Sequence, residues 1–198
     1  MNAAAGRPGR IDAIAIGTSA GGVDALSALL PALPKDLRAS VFVVVHLPRD
    51  RPSRLASIFQ GKCLLPVLEA QDKEPVAPGT VYIAPPDYHL LLDDGPVLAL
   101  STDEPVNYSR PAIDVLFESA ADLYRGRLLG MVLTGGNQDG AAGLQAVQRR
   151  GGTTVVQDPQ SAQVPLMPAS ALQRVKADHV LPLAGIAELL RTLGGRGA

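Results

Sequence analysis

Tryptophan is absent from this 198-residue chain, aromatic side chains make up 4% of it, and there is a single cysteine, Cys63. Each scarcity removes a class of function. So few aromatics leave no stacking platform for carbohydrate or single-stranded nucleic acid. Cys63 can close no internal disulfide, which suits a reducing compartment and makes the cytoplasm the expected setting. One cysteine with three dispersed histidines, His46, His89 and His179, has no metal-ligand spacing, so neither a metal nor a cofactor is expected. An excess of one charge sign is lacking too: a formal net charge of −1 gives no nucleic-acid footprint. No apolar run approaches the roughly 18 residues of a membrane span, and the polar stretch Met1–Arg10 has no signal core, so no membrane insertion is expected.

What is present is 46% hydrophobic residues, with 20 glycines and 17 prolines. That is enough apolar material for one fully cored domain, expected over residues 11–193, between a flexible tail (1–10) and a frayed C-terminus (194–198). The chain is organised around Ile11–Leu30. A short apolar run, Ile14-Ala15-Ile16, has the length of a buried strand. It turns through Gly17-Thr18-Ser19-Ala20-Gly21-Gly22 into a helix whose apolar face is expected at Val23, Leu26, Leu29 and Leu30. Gly17-x-Ser19-x-Gly21 fits a nucleophile elbow, in which a sharp strand-to-helix turn presents a serine hydroxyl beside the free N–H groups of a helix start. The same turn also fits a phosphate-binding or purely structural connection.

Val41–Val45 is continuous, β-branched and apolar, the composition of a parallel strand buried on both faces, and His46 follows at its carboxyl end. Ligands bind at the carboxyl ends of strands in open α/β sheets, so Ser19 and His46 share an edge if their strands are neighbours. Arg49, Arg51 and Arg54 cluster beyond His46 as a solvated loop or an electropositive mouth. Further strands are expected at Leu64–Glu69, Thr80–Ala84, Gly130–Leu133, Thr153–Val156 and His179–Pro182. Helices are expected at Ser53–Gln60, Ala112–Tyr124, Ala141–Arg150, Ala169–Val175 and Ile186–Leu193. Tyr88–Leu92 and Val97–Leu100, around Asp94-Gly95, read as an antiparallel hairpin; His89 inside it has a structural or rim role. Ser101–Arg110 reads as polar and irregular.

A second glycine-rich strand-to-helix turn, Thr134–Gly140, presents Asp139. Ser19, His46 and Asp139 therefore stand at strand ends with the chemistry of nucleophile, base and orienting acid. Asp24 is a competitor for the acid, but its place on the first helix better suits the positive end of that helix's dipole. The oxyanion donors would be the backbone N–H groups of Ala20 and of a residue near Gly136.

The stretches IGTSAGG, VVVHLP, YIAPPDYHL, RPAIDVLF and VLTGGNQDGAAGL, in that order and spanning about Ile11 to Leu193, resemble the catalytic domain of the chemotaxis protein-glutamate methylesterases, the CheB type. The resemblance implies an α/β fold with a doubly wound, mostly parallel sheet (a Rossmann-like three-layer arrangement) and a small hairpin. It implies hydrolysis of glutamyl methyl esters on the signalling helices of methylated chemoreceptors, with possible deamidation of glutamine. It puts the nucleophile on Ser19, the base on His46 and the acid on Asp139. Arg110, in the Arg-Pro stretch, is expected either to line the substrate cleft or to serve helix entry. Three positions depart from the family's pattern: Ala20 replaces a common threonine, Gly136 a methionine and Asn137 a glycine. The family's usual receiver domain has no counterpart in this sequence, so a stand-alone enzyme, one controlled by a separate receiver or regulatory protein, or a fragment of a longer protein is expected. The altered acid loop leaves a second expectation, a binding or regulatory module of a chemosensory system without turnover.

Overall fold

The computed structural model describes residues 10–46 and 53–194. Arg49 and Arg51 lie outside the described residues, as do residues 1–9 and 195–198 of the two expected tails. Among the described residues, β1 (Ala13–Thr18), β2 (Ser40–Val45), β3 (Val67–Glu69), β4 (Val81–Ile83), β7 (Leu128–Val132), β8 (Thr153–Gln157) and β9 (His179–Leu181) form one sheet in the order β3-β4-β2-β1-β7-β8-β9. Every pairing in it is parallel. β5 (His89–Asp93) and β6 (Val97–Ser101) form the separate antiparallel hairpin. Six α-helices accompany the sheets among the described residues: α1 (Gly22–Leu29), α2 (Leu55–Gln60), α3 (Ile113–Tyr124), α4 (Ala141–Arg149), α5 (Leu166–Arg174) and α6 (Leu183–Arg191).

The central strand explains the layering. Successive side chains of a strand point to opposite faces, and β1 alternates small with large. Ile14 and Ile16 join the core closed by Leu26 and Leu29 of α1, Phe59 of α2 and Ile186 and Leu190 of α6. Ala13 and Ala15 enter the opposite core with Leu116 and Phe117 of α3, Leu144 of α4 and Met167 of α5. Small residues on this second face let α3 lie close to β1. At Gly17 the approach is closest: an added Cβ would fall 2.2 Å from Ile113 Cγ2. The chain leaves β1 towards β2 on one side and returns to pair β7 on the other, so the strand order reverses around β1. That reversal opens a crevice at the carboxyl ends of β2, β1 and β7.

Several expected boundaries shift. Val23 is 39% exposed, and Ala25, Leu26 and Leu29 form the buried face of α1. In the first turn of α1, Gly22 and Ala25 are buried while Val23 and Asp24 are exposed. The strand expected from Leu64 begins at Val67, after Pro66. α5 starts at Leu166 with Pro168 in its first turn, where proline's missing N–H costs nothing. α6 starts at Leu183, directly after Pro182. No helix among the described residues is long and apolar enough to cross a membrane.

Candidate active site

Thr18 and Val45 are register partners on adjacent parallel strands, so Ser19 and His46, the next residues, leave the sheet side by side. The His46 N–H donates to Thr18 O at 3.2 Å, and the Ser19 N–H donates to Thr134 O at 3.0 Å. The turn after Ser19 needs Gly21 in the left-handed region, at φ 79°, where a β-carbon is strained. Thr134 laces the two glycine-rich turns together. Its carbonyl also accepts from Thr18 Oγ1 (2.8 Å), and its own hydroxyl donates to Ala20 O (2.9 Å) and accepts from Val164 N–H (2.9 Å). The Gly135 N–H donates to Val164 O. Among the described residues, no hydrogen bond engages the N–H groups of Ala20 and Gly136, which leaves the two expected oxyanion donors available.

His46 and Asp139 meet. Nε2 lies 2.8 Å from Asp139 Oδ2, with the ring 12% exposed and the carboxylate fully buried. A carboxylate only accepts, so Nε2 carries the ring proton and Nδ1 the lone pair. Ser109 Oγ and Asn137 Nδ2 each lie 3.4 Å from Nδ1. Among the described residues, Ser19 Oγ makes no hydrogen bond; the serine is half-buried.

Asp139 is held by much more than His46. Oδ2 also accepts from Ile113 N–H (2.6 Å), while Oδ1 accepts from Asp114 N–H (3.1 Å), Gly140 N–H (3.0 Å) and Asn107 Nδ2 (3.1 Å). Ile113 and Asp114 open α3, and the residue before them, Ala112, offers no capping side chain. Asp139 thus caps a helix from a remote part of the chain, facing the positive end of its dipole. Burial alone would raise the Asp139 carboxyl. The His46 ring N–H and the peptide N–H groups of Ile113 and Asp114 outweigh it and hold the carboxyl below the usual carboxylate range.

Arg110 spends its guanidinium inside the protein: Nε and Nη2 reach Asp87 Oδ1 at 3.0 and 2.8 Å, and Nη1 donates to Thr102 O and Asp103 O at 2.7 and 3.1 Å. These contacts tie the segment before α3 to the loop after β4. His89 is buried, with Nδ1 accepting from Ala112 N–H and Nε2 donating to Glu104 O. Asp24 is exposed in the first turn of α1. Sequence reasoning missed Asn107, Asp114, Ser109 and Thr134. The one available signal lay in the Val-Asn-Tyr-Ser stretch, since asparagine favours the left-handed positions of tight turns.

A parallel α/β sheet that sets a hydroxyl beside an imidazole–carboxylate pair at its carboxyl edge follows the plan of a serine hydrolase. Comparison with known proteins narrows the class. The model of the CheB methylesterase family matches residues 14–190. A putative protein-glutamate methylesterase/protein-glutamine glutaminase of Leptospira interrogans is 44% identical over 178 residues, covering 90% of this chain and 92% of that protein. A protein-glutamate methylesterase/protein-glutamine glutaminase of Trichodesmium erythraeum is 39% identical, and there 93% of this chain covers 54% of the relative. The crystal structure of the Thermotoga maritima CheB methylesterase catalytic domain superposes with a TM-score of 0.88 at 37% identity, covering 93% of this chain and all of that one. The chain belongs to the CheB methylesterase family.

Proposed function

We propose that this protein hydrolyses glutamyl methyl esters on methylated chemoreceptors, and deamidates glutamine side chains, through Ser19, His46 and Asp139. The observation that carries the reading is the His46 Nε2–Asp139 Oδ2 contact at the strand edge where Ser19 emerges. Ser19 Oγ attacks the ester carbonyl carbon as its proton passes to His46 Nδ1. The carbonyl oxygen becomes an oxyanion facing the N–H groups of Ala20 and Gly136. The C–O bond to the methoxy group breaks, and His46 returns the proton to form methanol. Water then attacks the acyl-serine with His46 again as base, releasing glutamate and restoring Ser19. With a glutamine substrate the first leaving group is ammonia, and the rest is unchanged. Asp139 keeps the ring proton on Nε2, which leaves the Nδ1 lone pair for the serine, and stabilises the imidazolium that forms.

Ala20 and Gly136 add little side-chain bulk beside Ser19, which suits a site that admits one side chain from the surface of a helical receptor. The proposed setting is the cytoplasm, with a separate receiver or regulatory protein as a candidate controller. The test is methanol release from a methylated receptor fragment. Wild type releases methanol and Ser19→Ala does not; equal release by both would overturn the assignment. That Ser19 Oγ makes no hydrogen bond among the described residues, while Ser109 Oγ and Asn137 Nδ2 lie 3.4 Å from His46 Nδ1, favours one second reading, a receptor-docking module without turnover. Receptor binding by a wild type that releases no methanol would select it.

A further inference from the structure

Asp139 is not the only buried carboxylate at the start of α3. Asp114 is 7% exposed; its Oδ1 accepts from Gly143 N–H at 2.6 Å, and its Oδ2 accepts from Asn107 Nδ2 at 2.9 Å. The same Asn107 nitrogen donates to Asp139 Oδ1 at 3.1 Å. One amide therefore spans two carboxylates that are both out of water. The Asp114 peptide N–H also bonds Asp139, which closes a ring of three groups.

The backbone is arranged to deliver that amide. Val106 and Ser109 exchange both backbone hydrogen bonds, at 3.1 and 2.9 Å, around Asn107 (φ 50°) and Tyr108 (φ 62°). Two consecutive non-glycine residues in the left-handed region make a tight two-residue hairpin turn, and asparagine is among the few side chains that tolerate that region. The turn sends Tyr108 outward, 99% exposed, and Asn107 inward.

We propose that Asn107 is a positioning residue for the reaction: by donating to Asp139 and Asp114 together, it lets the two carboxylates lie side by side as anions and keeps Asp139 aimed at His46. The inference rests on the proposed roles of His46 and Asp139. Like charges in one site disfavour each other's ionisation, and a shared donor offsets this. Burial above all, then the Asp139 charge and Glu118 on α3, push Asp114 up to about 6, against the lowering by the Gly143 N–H and Asn107. His46 at the end of β2 is the cationic partner when protonated, and the remaining contacts to the two carboxylates are the peptide N–H groups of Ile113, Asp114, Gly140 and Gly143. Without Asn107 the pair holds a proton to higher pH, and a protonated carboxyl competes with His46 for Asp139.

The test uses the full chain with Asn107→Gly, because glycine keeps the positive φ and removes only the amide. Carboxyl ¹³C NMR titration reads the aspartates directly, and methanol release over a pH series reads the reaction. The upper midpoint of the carboxylate pair rises by about one pH unit or more, and the isosteric Asn107→Asp raises it further. The Asn107→Gly rate falls about tenfold near pH ~6.5 and recovers towards pH ~8.5, with KM within about twofold of wild type. Asp114→Asn in that background removes the competing charge and restores the rate at the lower pH. Carboxyl titrations superimposable on wild type would overturn the proposal. So would a kcat loss that is equal at every pH and that Asp114→Asn leaves in place. If wild type itself releases no methanol, the functional reading fails and the carboxyl titrations alone decide this one.

Discussion

The two glycine-rich turns at the carboxyl edge do opposite things with the side chain each presents. The first, after β1, fixes the backbone of Ser19 through Thr134 and leaves its hydroxyl unbonded among the described residues. The second, after β7, buries Asp139 completely and surrounds it with five donors from β2, α3, the 106–109 turn and its own loop. A nucleophile has to move towards its target; an orienting acid has to stay still and stay charged. Local geometry of the same kind, strand–glycine turn–helix, serves both, and what separates them is the number of partners brought from elsewhere in the chain.

Removing the free side chain should cost rate and nothing else. Ser19→Ala is expected to abolish about 10⁶ of the rate, the scale set by loss of a serine nucleophile. It should leave urea-unfolding stability within about 0.5 kcal/mol, because its hydroxyl makes no hydrogen bond among the described residues. A large loss of stability would break the contrast. Asp139→Ala is expected to do both: about 10⁴ in rate, and about 3–5 kcal/mol in stability, since five buried donors lose their acceptor. Gly17→Ala touches neither side chain. Its Cβ would press on Ile113, whose N–H holds Asp139. About 2 kcal/mol of stability is expected to go, with a smaller fall in kcat, measurable by thermal unfolding beside steady-state kinetics.

The smallest expected effect is a pH dependence. The folded-state pKa of Asp114 is raised from 3.8 to about 6. The folded chain therefore binds this proton more tightly than the unfolded chain, and this group's contribution to stability falls as pH rises from about 4 to about 6. Asp139 works the other way: its lowered carboxyl contributes stability above the unfolded value, lost as pH falls through the folded value. Urea unfolding of wild type across pH ~4 to ~7 should show the Asp114 decline, and Asp114→Asn should flatten it.

How much of this was legible in the sequence follows the same division. The buried run before Gly17 and the β-branched run before His46 are local signals, and they place both residues at strand ends correctly. The parallel sheet and the hairpin were readable for the same reason. The support of Asp139 was not: Asn107, Asp114 and Ile113 reach it across 25 to 32 positions, and nothing in a polar stretch such as Ser101–Arg110 announces which side chain turns inward. Val23 misled because an apolar residue at helical spacing need not face the core; Gly22 and Ala25 take the buried positions of that turn. Nor does the sequence name the partners of Arg110, which are Asp87 and the carbonyls of Thr102 and Asp103.

The most direct measurement is reaction of the intact protein with a fluorophosphonate, followed by mass mapping of the adduct. The account predicts one stoichiometric label, on the peptide holding Ser19, formed far more slowly in Asp139→Ala. No label, or a label on another serine such as Ser109, would contradict it.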